Sequence, residues 1–268
     1  MDPVSTPTPT RADAGADGPG ALLRDWRMRR HVSQLDLAHL AGVSARHVSF
    51  VETGRSRPTS AMILRLCDHL DVPLREQNRV LLAGGYAPVH PELALADPPL
   101  AHVNAAIESI LTAHLPFPAL VIDGGWDLVA ANDAVYSLLD GVAASLLDPP
   151  VNVVRLTLDP AGLAPRIANL CEWRRHLVAR VRSEWRSSGE PRLGALLEEF
   201  GELPDRGGPS GSPALVVPLV LSVGGTQLSF LSATTVFGTT REVTVSELAI
   251  EAFYPADDHT RLVLTGSA

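Results

Sequence analysis

The sequence predicts a multi-domain protein in which an all-α domain is followed by an α+β domain with a five-stranded antiparallel sheet. The first observation is length: 268 residues exceed the roughly 100–200 residues of one domain, and 46% of them are hydrophobic, enough for two cores. The second is pattern, because short amphipathic helical segments fill residues 21–83, whereas strand-like segments dominate the last third of the chain.

Charge is the third observation, and it divides the chain at the same place. The formal net charge is −8, and every basic residue is an arginine. Residues 21–82 carry ten arginines against six acidic residues, whereas residues 83–268 carry eleven arginines against 21 acidic residues. A small basic domain attached to an acidic body indicates that the basic part binds a polyanion.

The predicted elements begin with a disordered tail at residues 1–20, which has little to bury. Residues 21–83 then form five short helices. Ser33, Ser44 and Thr59 are predicted to cap the second, third and fourth helices. The side chains expected to face the core are Leu22, Leu23 and Trp26 in the first helix, Leu35, Leu37, Ala38 and Leu40 in the second, Val48 and Val51 in the third, and Met62, Ile63, Leu66 and Leu70 in the fourth.

Residues 84–98 are predicted to be a linker, and residues 99–268 form the second domain. Asn132 is expected to cap a short helix there, and Gly224-Gly225 is expected to turn a hairpin. The other elements predicted in this domain are an amphipathic helix at 99–115 with Val103, Ala106, Ile107, Ile110 and Leu111 on one face, strands at 119–123 and 127–131, helices at about 165–187 and 192–200, a Gly/Pro/Ser-rich loop at 204–213, and strands at 214–223, 226–236 and 244–253.

Residues 33–54 have the spacing of a helix-turn-helix, in which a short helix and a glycine turn present a second helix to the DNA major groove. Arg46 has the guanidinium geometry that bonds guanine, and the Ser49 hydroxyl suits a base or a phosphate. Gln34 and the loop arginines are placed to hold phosphates. The residues predicted to contact DNA are Gln34, Ser44, Ala45, Arg46, His47, Ser49, Arg55 and Arg57. A helical bundle with solvated arginines is the alternative.

This stretch resembles the Xre (Cro/C1-type) helix-turn-helix family. The resemblance covers about residues 21–83 and rests on Ser33-Gln34, Leu37-Ala38, Ala41-Gly42-Val43-Ser44 and Glu52-Thr53-Gly54-Arg55. Over about residues 21–258 the chain is similar to the MmyB-like transcriptional regulators within that family. The segments that carry this second resemblance are 45–88, 118–123, Trp126, 130–132, 152–156, 163–165, Asn169, 172–173, 230–232, 237–239 and 247–251.

The resemblance implies a sequence-specific DNA-binding regulator whose PAS-like C-terminal domain holds an apolar small molecule, with long-chain fatty acids as the associated class. A ligand carboxylate needs a cationic anchor, and Arg155 in the apolar run 151–158 is the choice. The predicted ligand-binding residues are Leu120, Ile122, Leu128, Tyr136, Arg155, Trp173, Leu177, Phe230 and Phe237. An ordinary core position is the alternative for the apolar ones, and a structural salt bridge is the alternative for Arg155.

The expected protein is a cytoplasmic homodimer that binds a near-palindromic duplex operator. One alternative is that the second domain is a ligand-free dimerisation or protein-interaction module. Another is a haem sensor with His114 or His176 as axial ligand. No catalytic residues, resident cofactor, metal site or membrane span are predicted, because Cys67 and Cys171 lack Cys-x-x-Cys spacing and no phosphate loop, nucleophile elbow or long apolar run occurs.

Overall fold

A computed structural model describes residues 18–202, 216–238 and 240–266. The chain divides into two compact units, Met1–Pro91 and Glu92–Ala268. Most of the predicted disordered tail and the whole predicted loop at 204–213 lie outside the described residues. The first helix begins at Pro19, slightly before its predicted start, because proline suits the first helical position, where its missing N–H costs no hydrogen bond.

Within the described residues of the first unit, 18–91, the chain forms five helices, as the sequence predicts. The predicted caps Ser33, Ser44 and Thr59 each accept a hydrogen bond from the backbone N–H three residues later, which satisfies one free donor at each helix start. The helices are α1 (Pro19–Arg29), α2 (Gln34–Leu40), α3 (Ala45–Glu52), α4 (Ser60–His69) and α5 (Leu74–Ala83).

The core of the first unit is a single cluster of buried apolar side chains from all five helices. Leu37 and Ala38 of α2 are buried in it, whereas Leu35 and Leu40 are 69% and 53% exposed. The expectation that all four face the core is therefore wrong. A helix of two turns has room for one narrow buried stripe, and Leu35 and Leu40 lie outside that stripe.

Both ends of the predicted linker 84–98 are packed onto their own unit. In the first unit, the side-chain oxygen of Asn78 accepts hydrogen bonds from the backbone N–H groups of Val89 and His90, and Tyr86 donates to the carbonyl of Pro58. In the second unit, Leu93 donates its N–H to Glu242 and accepts from the Thr244 hydroxyl. Little of this segment is therefore free chain.

The second unit is built on one five-stranded sheet in which every paired strand is antiparallel, as the sequence predicts. Its spatial order is β2-β1-β5-β4-β3, so the first hairpin and the last three strands meet at the β1–β5 pair. Gly224 and Gly225 turn the β3–β4 hairpin with φ angles of 56° and 82°, a backbone that favours glycine. The strands are β1 (Ala119–Ile122), β2 (Leu128–Ala131), β3 (Leu219–Val223), β4 (Thr226–Val236) and β5 (Ala249–Pro255).

Helices cover this sheet, and several are shorter than expected or were not predicted. One unpredicted helical turn shortens the strand predicted at 244–253, which begins at Ala249 in the structure. The Glu242 carboxylate accepts from the Thr244 and Val245 N–H groups and so begins that turn. No described helix is both long and apolar enough to cross a bilayer. The helices are α6 (Ala101–Ala113), α7 (Asp133–Tyr136), α8 (Val153–Leu158), α9 (Leu170–Ser188), α10 (Pro191–Phe200), α11 (Val243–Ser246) and α12 (Asp258–Thr265).

The two faces of the sheet carry different clusters, since successive strand residues point to opposite sides. On β1, Leu120 and Ile122 join a cluster that includes residues of α8, α9 and α10, whereas Ala119 and Val121 pack with Ile107 of α6. On α6, Ile107 and Leu111 are buried, but Ala106 and Ile110 are exposed, contrary to expectation. Contact with a sheet buries a narrower stripe of this helix than the sequence pattern indicates.

Asn132 ties α6 to β1 with its side chain and does not use that side chain as a cap. It occupies the N-cap position of α7, yet its amide oxygen accepts from the N–H of Ala119 at 3.1 Å. The amide nitrogen donates to the carbonyls of Leu111 and Phe117 at 3.1 and 2.9 Å. Three buried backbone groups thereby gain partners, so the expected capping role is corrected to a tertiary one.

Replacement of Asn132 by alanine should lower the free energy of unfolding by about 1–3 kcal/mol, because it leaves buried backbone groups without partners. Denaturant titration of the full chain followed by tryptophan fluorescence measures the change. Asn104→Ala is the matched control, since Asn104 bonds only the Glu108 side chain within α6 and should cost less than about 0.5 kcal/mol. Equal effects of the two variants would contradict the tertiary role of Asn132.

Candidate nucleic-acid interface and ligand cavity

The turn between α2 and α3 is made by Gly42, whose φ of +64° lies in the left-handed region that glycine adopts without strain. The Gly42 and Val43 N–H groups donate to the carbonyls of His39 and Ala38. These two hydrogen bonds satisfy carbonyls in the last turn of α2 and end the helix at the glycine turn. Val48 and Val51 of α3 are buried in the core. The opposite side of α3 is consequently the side that faces outward.

A buried carboxylate fixes the position of α3. The Glu52 side chain is 2% exposed and accepts from Arg27 Nε and Nη2 at 2.6 and 2.9 Å. Gln34 Nε2 donates to Glu52 Oε2 at 2.7 Å, so α1, α2 and α3 meet at one side chain. The hydrogen bond to Glu52 raises the pKa of Arg27, which keeps the guanidinium charged. The bidentate pair ties α3 to α1, and the Gln34 hydrogen bond ties α3 to α2, the other helix of the motif.

Two arginines, one on the outward face of α3 and one in the loop after it, share one aromatic ring. Arg46 is exposed, and its guanidinium carbon lies 5.1 Å from the centroid of the Phe50 ring. Arg55, in the loop after α3, lies 5.9 Å from the same centroid. A cation over a ring face is attracted by the ring quadrupole, so Phe50 favours conformations in which both arginines stand on this face. We call Arg46, Phe50 and Arg55 the arginine–phenylalanine face.

The other residues predicted to contact DNA have varied positions. Ser44 and Ser49 lie at the start and the middle of α3, and Ala45 packs partly against the core. Gln34 is engaged with Glu52, and Arg57 donates to the Gly84 carbonyl at 2.9 Å, so both have structural partners that the sequence did not indicate. His47 is half-buried on α3. Their contacts with DNA stay predictions.

The second unit contains a cavity of about 80 Å³ between the sheet and its helices. Its wall is almost entirely apolar. The lining residues are Pro118, Leu120, Trp126, Val135, Leu138, Leu139, Val153, Leu156, Thr157, Leu163, Trp173, Leu177, Arg180, Leu219, Leu221, Phe230, Ser232, Glu251 and Phe253.

Four predicted ligand-binding residues line this cavity: Leu120, Trp173, Leu177 and Phe230. The remaining five lie elsewhere. Ile122 and Leu128 pack in the same apolar cluster as Leu120 and Leu177, but outside the cavity wall. Tyr136 is 54% exposed, and Phe237 packs with the α6 cluster on the opposite face. Whether the four lining residues contact a ligand stays a prediction.

Arg155, the predicted anchor, is absent from the cavity wall. Its Nε donates to Glu199 Oε2 of α10 at 2.9 Å, and both side chains are about half exposed. Residues Val153–Leu158 form helix α8, which is buried on most sides: Val154, Leu156, Thr157 and Leu158 are buried, whereas Arg155 is exposed. The alternative interpretation, a structural salt bridge, describes this geometry.

Sequence reasoning missed the polar cluster that borders the cavity. Arg180 of α9 donates from Nη1 and Nη2 to the two carboxylate oxygens of Glu251 on β5, at 3.1 and 2.6 Å. The Thr234 hydroxyl of β4 donates to Glu251 Oε1 at 2.7 Å, and Glu251 is only 4% exposed. These residues are far apart in sequence, so no local signal connects them.

Trp126 joins this cluster from the β1–β2 turn. Its φ of +66° is unusual for a bulky residue and costs of the order of 1 kcal/mol, which the contacts of its side chain offset. The indole Nε1 donates to Glu184 Oε2 at 2.6 Å, and the Arg180 guanidinium carbon lies 4.9 Å from the ring centroid. Burial raises the pKa of Glu184. The hydrogen bond from the indole and the charge of Arg180 act in the opposite direction, but the net shift is upward.

The two histidines considered as haem ligands have other contacts. His114 Nε2 bonds the Phe253 carbonyl at 2.9 Å, and the His176 ring packs 5.4 Å from Trp173. Burial lowers the pKa of His176. Neither histidine lines the cavity. Across the described residues, no group of three or more His, Cys, Asp or Glu side chains is arranged to hold a metal ion.

A different protein-family model matches each of the two units. A helix-turn-helix domain model matches residues 20–80, and a model of the MmyB-like transcription regulator ligand binding domain matches residues 103–265.

Two individual proteins are also similar to this chain. It is 30% identical over 71 residues to the ImmF control region 10 kDa protein of Bacillus phage phi105, a match that covers 25% of this chain and 79% of that protein. The crystal structure of the clp gene regulator ClgR from C. glutamicum is 27% identical, with a TM-score of 0.23, and the match covers 30% of this chain and 95% of that one. Because the ligand-binding model alone spans more than half of the sequence, the chain belongs to the MmyB-like transcription regulators, which join a DNA-binding helix-turn-helix to a ligand-binding domain.

Proposed function

We propose that the first unit reads duplex DNA with the arginine–phenylalanine face of α3. Arg46 bonds a guanine in the major groove, Ser49 bonds a base or a phosphate, and Arg55 holds the phosphate backbone. The observation that supports this is the exposed pair of arginines on Phe50, opposite the face that Val48 and Val51 bury. One small helix-turn-helix covers one half-site, so the protein acts as a homodimer on a near-palindromic operator.

The second unit, in this proposal, is a sensor domain that binds a small apolar ligand of the acyl class, a fatty acid or a similar compound. The supporting observation is the apolar cavity between the sheet and helices α8 and α9. The strand order β2-β1-β5-β4-β3 with helices inserted between β2 and β3 supports the PAS-like description. A ligand changes DNA binding only if it binds two arrangements of the protein with unequal affinity.

The ligand proposal predicts that an acyl compound co-purifies with the full chain and is released on denaturation. Native mass spectrometry after gentle purification, followed by solvent extraction, measures it. Leu177→Phe fills part of the cavity and should reduce the bound fraction several-fold, although overpacking costs about 1–3 kcal/mol of stability.

Val181→Ile is the matched control for Leu177→Phe, since Val181 is buried on the same helix but does not line the cavity. A protein that carries no ligand, and that binds no added acyl compound, would favour the dimerisation or interaction module over the sensor.

Arg46→Ala should lower the affinity for the operator by about 1–3 kcal/mol, because it removes a bidentate base contact. The affinity for random duplex DNA should fall much less. Titration of both DNAs by fluorescence anisotropy at one salt concentration measures the ratio. Arg79→Ala is the control, since Arg79 is an exposed arginine of α5 outside the proposed interface. Equal losses on both DNAs would exclude Arg46 from base recognition.

Phe50→Leu should lower the operator affinity by about two- to five-fold, because the cation–π contact worth about 0.5–1 kcal/mol is lost while the apolar volume remains. Phe50→Tyr keeps the ring and should keep the affinity. The same anisotropy titration reports both variants. If leucine and tyrosine behave alike, the ring does not position Arg46 and Arg55.

A further inference from the structure

One buried polar atom in the cavity wall has no hydrogen-bond partner. Trp173 of α9 is 4% exposed and lines the cavity, yet its indole Nε1–H meets no acceptor. In the ranges that the structure describes, Arg174 Nε is the one other buried side-chain nitrogen or oxygen in this condition, and Arg174 is not part of the wall. A buried N–H without an acceptor costs free energy, so a partner for Trp173 has to be sought inside the cavity.

The other strong donors of this wall are engaged by the protein. The Trp126 indole donates to Glu184 Oε2 at 2.6 Å, and the Thr157 hydroxyl donates to a backbone carbonyl of α8 at 2.7 Å. Arg180 donates from both terminal nitrogens to Glu251, at 3.1 and 2.6 Å. A ligand oxygen that bonded any of these donors would compete with a hydrogen bond that is already made.

Ser232 of β4 also lines the cavity, and its hydroxyl makes no hydrogen bond with another described residue. Ser232 is half-buried, so water reaches it and satisfies a hydroxyl at little cost. The Trp173 N–H has neither a protein acceptor nor exposure to water. It is therefore the donor of this wall that gains most from a ligand oxygen.

The position of Trp173 separates it from the charged part of the wall. Trp173, Leu177 and Arg180 all line the cavity, and their spacing of four and then three residues places them along one face of α9. Seven residues of helix correspond to about 10 Å. The indole thus lies at one end of this helical wall and the Arg180–Glu251 pair at the other.

The sheet opposite α9 has the same order. Phe230 and Thr234 of β4 point to the cavity side of the sheet, since alternate strand residues share a face. Phe230 packs in the same apolar cluster as Trp173, whereas the Thr234 hydroxyl bonds Glu251. The indole N–H therefore has apolar surroundings, in which a hydrogen bond is stronger than it would be in water.

We infer that the indole N–H of Trp173 is the hydrogen-bond donor that recognises the head group of the acyl ligand, by donating to its carboxyl or carbonyl oxygen. This inference rests on the proposed function of the cavity as a site for acyl compounds. It gives a polar role to a side chain that the sequence identifies only as part of an apolar wall. It also makes an oxygen acceptor a requirement for tight binding, so that a bare hydrocarbon chain binds more weakly.

The test compares decanoate with n-nonane, which has the same alkyl chain but no acceptor. Indole ¹⁵N–¹H correlation spectra of the full chain report on its four tryptophans, and single Trp→Phe replacements assign them. Decanoate is expected to move the Trp173 indole proton downfield, because a proton that gains an acceptor is deshielded. Nonane should cause no such shift. Trp126 is the internal control in the same wall, since its N–H is already bonded.

Trp173→Phe keeps an aromatic ring and removes the donor. It should weaken decanoate binding about tenfold, the equivalent of one hydrogen bond to a charged acceptor, as measured by isothermal titration calorimetry. Phe230→Leu is the matched control, because it removes apolar volume from the cluster that contains Trp173 but removes no donor. Its effect should stay below about fourfold, the equivalent of one buried methylene.

Decanoate binding that leaves the Trp173 resonance where nonane leaves it would overturn the role of the indole while the cavity remained a ligand site. Equal decanoate affinities of the Trp173→Phe and Phe230→Leu variants would do the same. Binding of neither compound would instead overturn the proposed function of the cavity itself. If Trp173→Phe fails to fold, the other three replacements assign the Trp173 resonance by elimination and the spectra of the parent chain decide.

Discussion

Each unit of this protein depends on a buried carboxylate that is neutralised by an arginine from another element. Glu52 in the first unit and Glu251 in the second are both at most 7% exposed, and each accepts two hydrogen bonds from one guanidinium. An ionised carboxylate without such a partner costs several kcal/mol in a protein interior, so the elements that supply the partner have to be in place. The pairs therefore fix which elements can pack together.

The two pairs lie at different places relative to the proposed sites. The Arg27–Glu52 pair lies behind α3, on its core side, and leaves Arg46 and Arg55 on the outer side with only Phe50 beneath them. The Arg180–Glu251 pair lies in the cavity wall itself, where Glu251 occupies the Arg180 guanidinium. One pair thus lies behind the proposed DNA-binding face, and the other lies in the wall of the proposed ligand cavity.

The cavity shows why apolar pattern alone separates core from ligand wall poorly. Leu120 and Ile122 point to the same face of β1 and belong to the same core cluster, yet Leu120 lines the cavity and Ile122 does not. The alternation of apolar residues along the strand is the same for both, so it cannot separate them. The helices that pack over this face belong to the folded unit and are not visible in the local pattern.

The sequence by itself determined the features whose hydrogen bonds join near neighbours. The caps Ser33, Ser44 and Thr59, the Gly42 turn and the Gly224-Gly225 hairpin all follow from residues within a few positions of each other. Only the tertiary structure decided the roles of Arg155 and Arg180. Arg155 pairs with Glu199 on the surface, whereas Arg180 pairs with a residue 71 positions away. Local propensity carries no information about such distant partners, because the two side chains of each pair come within reach of each other only after the elements that carry them have packed together.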